Sequence, residues 1–452
     1  MTASVIDWAD PARASAFERW LAAVGPQFGL RSATLRPASA DASFRRYFRI
    51  DTADGTTGGS SCIIMDAPPD QEDCRPFVKV AELLLQAGLN APRVLAWEQA
   101  LGFMLLSDLG AKTLLDVIAP PAAVDAIAQP TAAQFELFMD AVDVLVRWQL
   151  ASKPGVLPPC DDALLSRELA LFPEWYVGRH RGFALDAALM GKLDPIFAQI
   201  KASNLQSLDG ARVYVHRDFM PRNLMVAQAT SVGASERSAG PPQASSTPLG
   251  GSVVRAATSV GASERSAGPP QASSTPLGGS VVRAATSVGA SKRSAGPPQA
   301  GSAPLGGSVV REATGVGAAS LGVLDFQDAV YGPITYDIAS LMRDAFLSWE
   351  EEFVLDITVR YWQKARKAAL PVGDDFGEFY RAVEWMGLQR HLKVLGIFAR
   401  LTLRDGKPKY LADTPRFIKY ARATCARYRQ LGPLMVLLDE IEGNETRVGY
   451  TF

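Results

Sequence analysis

Two short stretches far apart in the chain constrain its fold more than any other feature. The first, residues 213–226, reads Val-Tyr-Val-His-Arg-Asp-Phe-Met-Pro-Arg-Asn-Leu-Met-Val, so an H-x-D-x-x-x-x-N pattern lies between two runs of strand-forming residues. The second, residues 321–328, reads Leu-Gly-Val-Leu-Asp-Phe-Gln-Asp and places Asp325 at the end of another strand-like run. This arrangement predicts that the polar residues of both stretches meet at one site.

The residue types in these stretches are typical of phosphoryl transfer. Such a centre needs one carboxylate to take the proton of an acceptor hydroxyl, and an amide and a second carboxylate to hold Mg²⁺ on the nucleotide phosphates. Oxygen ligands suit that hard cation. We therefore predict that Asp218 is catalytic, that Asn223 and Asp325 are metal ligands, and that ATP and Mg²⁺ are the cofactors. We interpret His216 as a buried residue that braces the loop, not as an acid or base.

A repeated segment separates the two stretches. The text T-S/G-V-G-A begins at Thr230, Thr258, Thr286 and Thr314, so a unit of 28 residues recurs. Each unit is mostly Ala, Gly, Ser, Pro and Thr, which offers too little apolar surface to offset the entropy lost on ordering. We expect residues 230–313 to be a disordered tandem insertion. Without three units, only 18 of the 102 residues between Asn223 and Asp325 remain, a spacing that fits a hairpin.

Composition limits the possible partners and location. The 452 residues carry a formal net charge of −1 and no basic block, so the chain has no evident source of attraction to nucleic-acid phosphates. The four cysteines lack metal-site spacing and predict reduced thiols. The first ten residues lack the basic and apolar regions of a signal peptide, and no apolar run approaches the roughly 18 residues of a membrane span. We expect a cytoplasmic protein that binds neither nucleic acid nor membrane.

The N-terminal part contains the candidate nucleotide site. Arg45, Arg46 and Arg49 lie among the aromatic residues Phe44, Tyr47 and Phe48 in a strand-like segment. In kinases, the first strands cover the nucleotide phosphates, so we predict that Arg45 and Arg46 bind the cofactor. The alternative is that these arginines lie on an exposed edge strand and protect it from aggregation. The next run, Cys-Ile-Ile-Met-Asp at 62–66, lacks the lysine that kinases carry there. Lys79 or the strand arginines are the candidates to replace that charge.

The periodicity of the sequence predicts the remaining elements. Apolar residues at helical spacing predict helices at 11–25, 76–87 and 134–150, and two short runs at 93–97 and 102–106 predict a hairpin. The hairpin leads into Ser107-Asp108-Leu-Gly110, which we interpret as a hinge between two lobes whose backbone reads adenine. Ser107 and Asp108 are therefore further predicted cofactor-binding residues. Near the start of a later helix, Asp337 is placed either to cap the helix or to brace the H-R-D loop.

Five motifs of this sequence resemble one family. They lie at residues 42–49, 65–69, 216–223, 324–333 and 389–400, and they are similar to the aminoglycoside phosphotransferase and choline kinase group of protein-kinase-like small-molecule kinases. The resemblance implies an α+β, bilobal protein-kinase-like fold. Residues 1–107 would form a small, β-rich nucleotide-binding lobe. Residues 108–229 and 314–452 would form a larger, mostly helical lobe, interrupted by the insertion at 230–313.

The resemblance also implies an acceptor. Within the group the motifs are most similar to bacterial sugar kinases, which implies transfer to the anomeric hydroxyl of an amino sugar, N-acetylmuramate or N-acetylglucosamine, in peptidoglycan recycling. It also implies that Asp337 braces the H-R-D loop and that residues 167–177 lie near the acceptor. The polar run 389–393 either lines the sugar pocket or forms a solvated helix face. An aminoglycoside, choline or another alcohol as acceptor stays an alternative, as does a catalytically silent nucleotide-binding protein that lacks the strand lysine.

Overall fold

The structure is a computed structural model that describes residues 6–8, 10–40, 44–53, 59–118, 127–226 and 321–443. All of these residues fall in one compact unit. The repeated segment at 230–313 lies outside the described residues. Within the described ranges, none of the helices combines the length and apolarity needed to span a bilayer.

The N-terminal part is a five-stranded antiparallel sheet with a helix on each face. The strands follow the order β1-β2-β3-β5-β4. Their bounds are Arg36–Ala40 (β1), Arg46–Asp51 (β2), Ser61–Asp66 (β3), Val94–Glu98 (β4) and Phe103–Ser107 (β5). The first helix, Pro11–Val24 (α1), begins after the N-cap Asp10, whose side chain accepts a hydrogen bond from the backbone of Ala12. The second helix is Arg75–Gln86 (α2).

Alternation along the strands gives the sheet two apolar faces. Phe48, Ile50 and Ile64 pack with Phe17 and Trp20 of α1. Their neighbours in sequence point the other way, where α2 and the strands of the catalytic loop cover them; these residues include Tyr47, Ile63, Met65 and Met104. Because side chains of paired residues share a face, the pair Arg46↔Asp66 lies on the α1 face and the pair Arg49↔Ile63 on the α2 face.

The C-terminal part is mostly helical. Its helices are Leu114–Ile118 (α3), Ala132–Leu150 (α4), Asp162–Leu171 (α5), Ala187–Gly210 (α6), Tyr336–Met342 (α7), Glu351–Lys367 (α8), Phe376–Leu403 (α9), Thr414–Arg427 (α10) and Gly432–Glu442 (α11). A π-helix, Phe172–His180, continues α5. Short 3₁₀ turns lie at Pro221–Asn223, Pro408–Asp413 and Arg429–Leu431, and two more, Gly25–Phe28 and Ser32–Thr34, connect α1 to β1 in the N-terminal part. A capping box between Thr131 and Gln134 starts α4.

Helix α9 forms the centre of this part and is covered on nearly all sides. Gln389, Arg390, His391 and Lys393 are all buried, so the alternative that residues 389–393 form a solvated face is wrong. The sequence suggested exposure because these side chains are polar, but α5, α6, α7, α10 and the π-helix all pack against α9. At Gly396 the packing is so close that a β-carbon would lie 2.3 Å from the carbonyl oxygen of Leu171.

Three two-stranded sheets complete the fold. Arg212–Val215 (β7) pairs antiparallel with Val330–Pro333 (β10), and Leu224–Met225 (β8) pairs antiparallel with Gly322–Val323 (β9). Ile127–Ala128 (β6) pairs with Ser348–Trp349 (β11). Because Met225 and Gly322 are direct partners in β8 and β9, the described residues on either side of the repeated segment meet in one hairpin-like pair. The α+β architecture with a β-rich N-terminal part and a helical remainder is the one predicted.

Candidate active site

The loop between β7 and β8 brings three of the predicted residues together. Asn223 Nδ2 donates to the backbone oxygen of Asp218 at 2.9 Å and lies 3.3 Å from Asp325 Oδ2. Asn223 is buried, whereas the Asp218 side chain is 37% exposed. The amide therefore fixes the loop from inside, and the Asp218 carboxylate remains open to an acceptor.

Asp325 is held in a conformation that few non-glycine residues adopt. Its φ is 61°, and Gln327 Nε2 donates to its Oδ1 at 2.8 Å. The carboxylate therefore leaves the end of β9 toward Asn223. The described residues contain no cluster of three or more His, Cys, Asp or Glu that could hold a metal. An aspartate beside an asparagine nevertheless suits Mg²⁺ on a nucleotide, because that ion keeps water molecules and takes phosphate oxygens as further ligands.

Buried groups brace the H-R-D segment from below. The Asp337 carboxylate accepts hydrogen bonds from the backbone nitrogens of His216, at 2.7 Å, and Arg217, at 3.0 Å. Burial raises the pKa of Asp337 to about 6, although these donors and His216 oppose the shift. These are the contacts that a bracing residue makes.

His216 links the two stretches of the site. Its Nε2 lies 2.9 Å from the carbonyl oxygen of Leu324, and its Nδ1 lies 3.3 Å from the backbone nitrogen of Asp218. A carbonyl only accepts and a backbone nitrogen only donates, so the ring fits as the neutral tautomer with its proton on Nε2. Burial lowers the pKa of His216 and favours that neutral form. Both contacts are structural and leave the ring no proton to exchange with an acceptor.

Cations lie behind the Asp218 carboxylate. Arg390 Nη2 of α9 is 3.7 Å from Asp218 Oδ1, and its side chain is only 2% exposed. Arg390 Nε has no hydrogen-bond partner among the described residues. Burial alone would raise the pKa of Asp218, but Lys393, Arg390 and Arg217 outweigh it and hold that pKa below its ordinary value. The carboxylate is therefore kept ionised, as a proton acceptor must be.

The strand arginines take three different places. Arg45, the residue before β2, is buried and pairs with Oε2 of Glu72, just before α2, at 3.0 Å. Arg46 lies on the α1 face, where it bonds the buried Asp66 and stacks 4.0 Å from the ring centroid of Trp8. The side chain of Arg46 therefore points away from α2, and the geometry gives no support to a phosphate contact by Arg46.

Arg49 ties the strands to the predicted hinge. It bonds both oxygens of Asp108, at 2.6 and 3.0 Å, and donates to the carbonyl of Gly110 at 2.6 Å. Ser61 also donates to Asp108, at 2.7 Å. The Ser107 hydroxyl accepts from the backbone nitrogen of Arg93 at 2.8 Å. The backbone nitrogen of Ser107 also donates to the carbonyl oxygen of Arg93 at 3.0 Å. The side chains of Ser107 and Asp108 and the backbone nitrogen of Ser107 are thus engaged by protein groups, which leaves the backbone of Asp108 and the backbone oxygen of Ser107 as candidates to read a base.

Lys79 is not placed to replace the absent strand lysine. It lies on the exposed side of α2 and donates to the carbonyl oxygen of Val156. In kinases, a glutamate of the helix after the third strand pairs with the strand lysine. Glu82 is the candidate for that position in α2, and it is exposed as well. The buried Arg45–Glu72 pair is the charge pair that the structure offers beside α2 instead.

The geometry of the loop agrees with the sequence comparisons. The model of the phosphotransferase enzyme family matches residues 34–234 and 317–373, more than half of the chain. The chain belongs to the phosphotransferase enzyme family. The match omits residues 235–316, which contain most of the repeated segment.

Two relatives and one solved structure show which members of the family this chain is similar to. An N-acetylmuramate/N-acetylglucosamine kinase of Pseudomonas aeruginosa is 39% identical over 406 residues, which cover 90% of this chain and 88% of that protein. A protein of the same name from Neisseria meningitidis serogroup B is 38% identical, with 96% of this chain and 98% of that protein covered. Plasmodium vivax ethanolamine kinase aligns with a TM-score of 0.50 at 9% identity, covering 93% of this chain and 90% of that one. The last likeness shows the kinase-like fold alone.

Sequence reasoning missed one residue of this phosphotransferase, Glu168. It is 4% exposed and bonds Arg217 of the catalytic loop at 2.6 Å. A signal was present: Leu165, Glu168 and Leu169 lie at helical spacing on the buried stripe of α5. A carboxylate on an apolar stripe predicts a buried cation as its partner.

Proposed function

We propose that the protein transfers the γ-phosphoryl group of ATP to the anomeric hydroxyl of N-acetylmuramate or N-acetylglucosamine. The observation that carries this proposal is the contact of Asn223 with both Asp218 and Asp325. It supports the proposed roles of Asp218 as proton acceptor and of Asn223 and Asp325 as metal ligands, because phosphoryl transfer requires these groups side by side. The names of the two relatives supply the acceptor.

Asp218 has the central part in this mechanism. Its exposed carboxylate accepts the proton of the sugar hydroxyl as that oxygen attacks phosphorus, and the buried Arg390 beside it favours the ionised form. Asn223 and Asp325 would hold Mg²⁺, which neutralises charge on the phosphates when bound. Asp337 and His216 keep the loop in place through their backbone contacts.

On the nucleotide side, we assign the phosphate-facing cation to Arg45. A buried arginine that pairs with a glutamate next to α2 resembles, in its charge, the strand-lysine and helix-glutamate pair of other kinases. A guanidinium also suits phosphate oxygens, because it donates two parallel hydrogen bonds. The hinge backbone at Ser107 and Asp108 is the candidate contact for the base.

The charges next to Asp218 favour an anionic or neutral acceptor over a cationic one. The three side chains that lower the pKa of this carboxylate most are Lys393, Arg390 and Arg217, all cations. A polyamine such as an aminoglycoside, or choline, would meet charge of its own sign there. N-acetylglucosamine is neutral and N-acetylmuramate carries a carboxylate, so both are compatible with this environment.

The proposal is tested with a panel of acceptors. The purified chain is incubated with ATP, Mg²⁺ and one of N-acetylmuramate, N-acetylglucosamine, choline or an aminoglycoside, and phosphorus NMR locates the new ester. We expect an anomeric 1-phosphate on both amino sugars. Transfer only to choline or the aminoglycoside would overturn the acceptor and keep the chemistry, whereas no transfer to any of them would favour a silent nucleotide-binding protein.

A further inference from the structure

Glu168 lies at the centre of a buried charge cluster that the proposed chemistry does not use. Its carboxylate receives Arg217 Nη2 at 2.6 Å, Lys393 Nζ at 3.0 Å and the Tyr336 hydroxyl at 3.3 Å. These partners come from the catalytic loop, α9 and α7, and Glu168 itself from α5. One side chain therefore connects four separate parts of the C-terminal fold.

Arg217 makes this contact relevant to the reaction, because it directly precedes Asp218. Its φ is 77°, a left-handed conformation that is unfavourable for a residue with a β-carbon. Such a conformation persists only where the surroundings hold it. Asp337 holds the backbone nitrogen of Arg217, and Glu168 holds its guanidinium. Both ends of the strained residue are thus fixed, and with them the direction in which the chain enters Asp218.

The charges of the cluster also link Glu168 to Asp218. Glu168 is a single carboxylate between two buried cations, Arg217 and Lys393. Both cations also act on the Asp218 carboxylate. Without the charge of Glu168, they would attract the Asp218 carboxylate more strongly and draw it away from the acceptor. The carboxylate of Glu168 gives each of these cations a direct partner, at 2.6 Å for Arg217 and 3.0 Å for Lys393.

We propose that Glu168 is a positioning residue for phosphoryl transfer, acting through Arg217 to hold Asp218 in its catalytic orientation. This proposal rests on the proposed role of Asp218 as the proton acceptor. It assigns to Glu168 no contact with sugar, nucleotide or metal. It therefore predicts an effect on the turnover number and not on the binding of either substrate.

The test is steady-state kinetics of Glu168→Gln, an isosteric change that removes only the charge. We expect kcat to fall about 10- to 100-fold while KM for ATP and for N-acetylglucosamine changes less than about twofold, since small misplacements of catalytic groups have effects of this size. Glu440→Gln is the matched control. Glu440 is a half-exposed glutamate in α11, ion-paired with Lys192, and its variant should match the wild type.

A double-mutant cycle separates positioning from folding. If Glu168 acts through Arg217, Arg217→Met should lower kcat, and Glu168→Gln should add little in that background. Effects that multiply would overturn the proposal. If Glu168→Gln alone does not fold, the double variant Glu168→Gln/Lys393→Met takes its place. It removes one negative and one positive charge and so restores the net charge of the cluster. We expect this double variant to fold and still turn over at least about 10-fold more slowly than Lys393→Met alone.

The outcomes distinguish this proposal from the one on which it rests. An inactive Asp218→Ala together with a Glu168→Gln variant whose kcat lies within twofold of the wild type would overturn the role of Glu168 alone. An Asp218→Ala variant that keeps its rate would overturn the assignment of the proton acceptor, and the positioning role with it. A Glu168→Gln variant with a raised KM and an unchanged kcat would also contradict positioning.

Discussion

Replacing Asp337 with alanine should separate the bracing of the catalytic loop from its chemistry. Asp337 is fully buried and accepts from two backbone nitrogens, those of His216 and Arg217. The variant leaves both donors buried without an acceptor. It also releases the left-handed Arg217, whose φ is 77°. The loop should then relax toward an ordinary backbone conformation.

The size of the effect follows from these contacts. Each buried donor left without a partner costs about 1–3 kcal/mol, so the variant should lose about 2–6 kcal/mol of unfolding free energy. A typical domain has about 5–15 kcal/mol in total, so we expect Asp337→Ala to fold but to unfold at a lower temperature. The relaxed loop should lower kcat about 100-fold, because catalytic groups displaced by about 1 Å lose that much. KM for ATP should change little, because Asp337 contacts none of the proposed nucleotide residues.

The assay combines turnover at 25 °C with thermal unfolding of the same preparation. Asp344→Asn is the matched control: Asp344 is equally buried and follows α7, but it accepts from the backbone nitrogen of Phe346 and not from the catalytic loop. The control should keep its rate. An Asp337→Ala variant with a lowered unfolding temperature and a kcat within about threefold of the wild type would refute the bracing argument.

Three further predictions concern the insertion, the packing and the charge cluster. Deleting residues 230–313 should leave kcat within about twofold of the wild-type value. It should also stabilise the fold by about 2 kcal/mol, if the segment is the flexible loop that its composition predicts. A large loss of rate in a folded deletion variant would contradict this. Gly396→Ala should lower the unfolding free energy by about 1–3 kcal/mol, because the new β-carbon would meet the carbonyl of Leu171. An unchanged midpoint of chemical denaturation would refute this. Glu168→Gln should lose about 3–5 kcal/mol at pH 7. Burial alone would raise the pKa of Glu168, but Lys393 and Arg217 outweigh it and hold that pKa below its ordinary value. The loss should therefore be complete above the ordinary glutamate pKa and shrink as the pH falls through the lowered one, so denaturant titrations in which the loss grows as the pH is lowered from 7 would contradict it.

The catalytic loop was predictable because its information is local. A strand, an H-x-D-x-x-x-x-N loop and a second strand specify how Asp218 and Asn223 leave the sheet, and Asp325 follows a strand of its own. The pairing of β8 with β9 then brings Asn223 beside Asp325. The sheet was predictable for the same reason, because the alternation of Phe48 and Ile50 with polar neighbours has the period of a strand.

Long-range partners were not predictable from local patterns. The adjacent residues Arg45 and Arg46 look equivalent in the sequence, but the structure pairs the first with Glu72 near α2 and the second with Asp66 on the α1 face. Which face each arginine takes depends on the register between β2 and β3. The burial of Arg390 likewise depends on how many helices surround α9, a property that helical periodicity does not report.

The most direct test of the central claim compares wild type with Asp218→Ala. Both proteins are incubated with ATP, Mg²⁺ and N-acetylglucosamine, and phosphorus NMR follows the formation of the sugar phosphate while circular dichroism verifies that both are folded. We predict an anomeric phosphate from the wild type and a rate about 100- to 10,000-fold lower from the folded variant, since loss of the proton acceptor removes a factor of this size. A folded Asp218→Ala variant that forms the same product at near-normal rate would contradict the account.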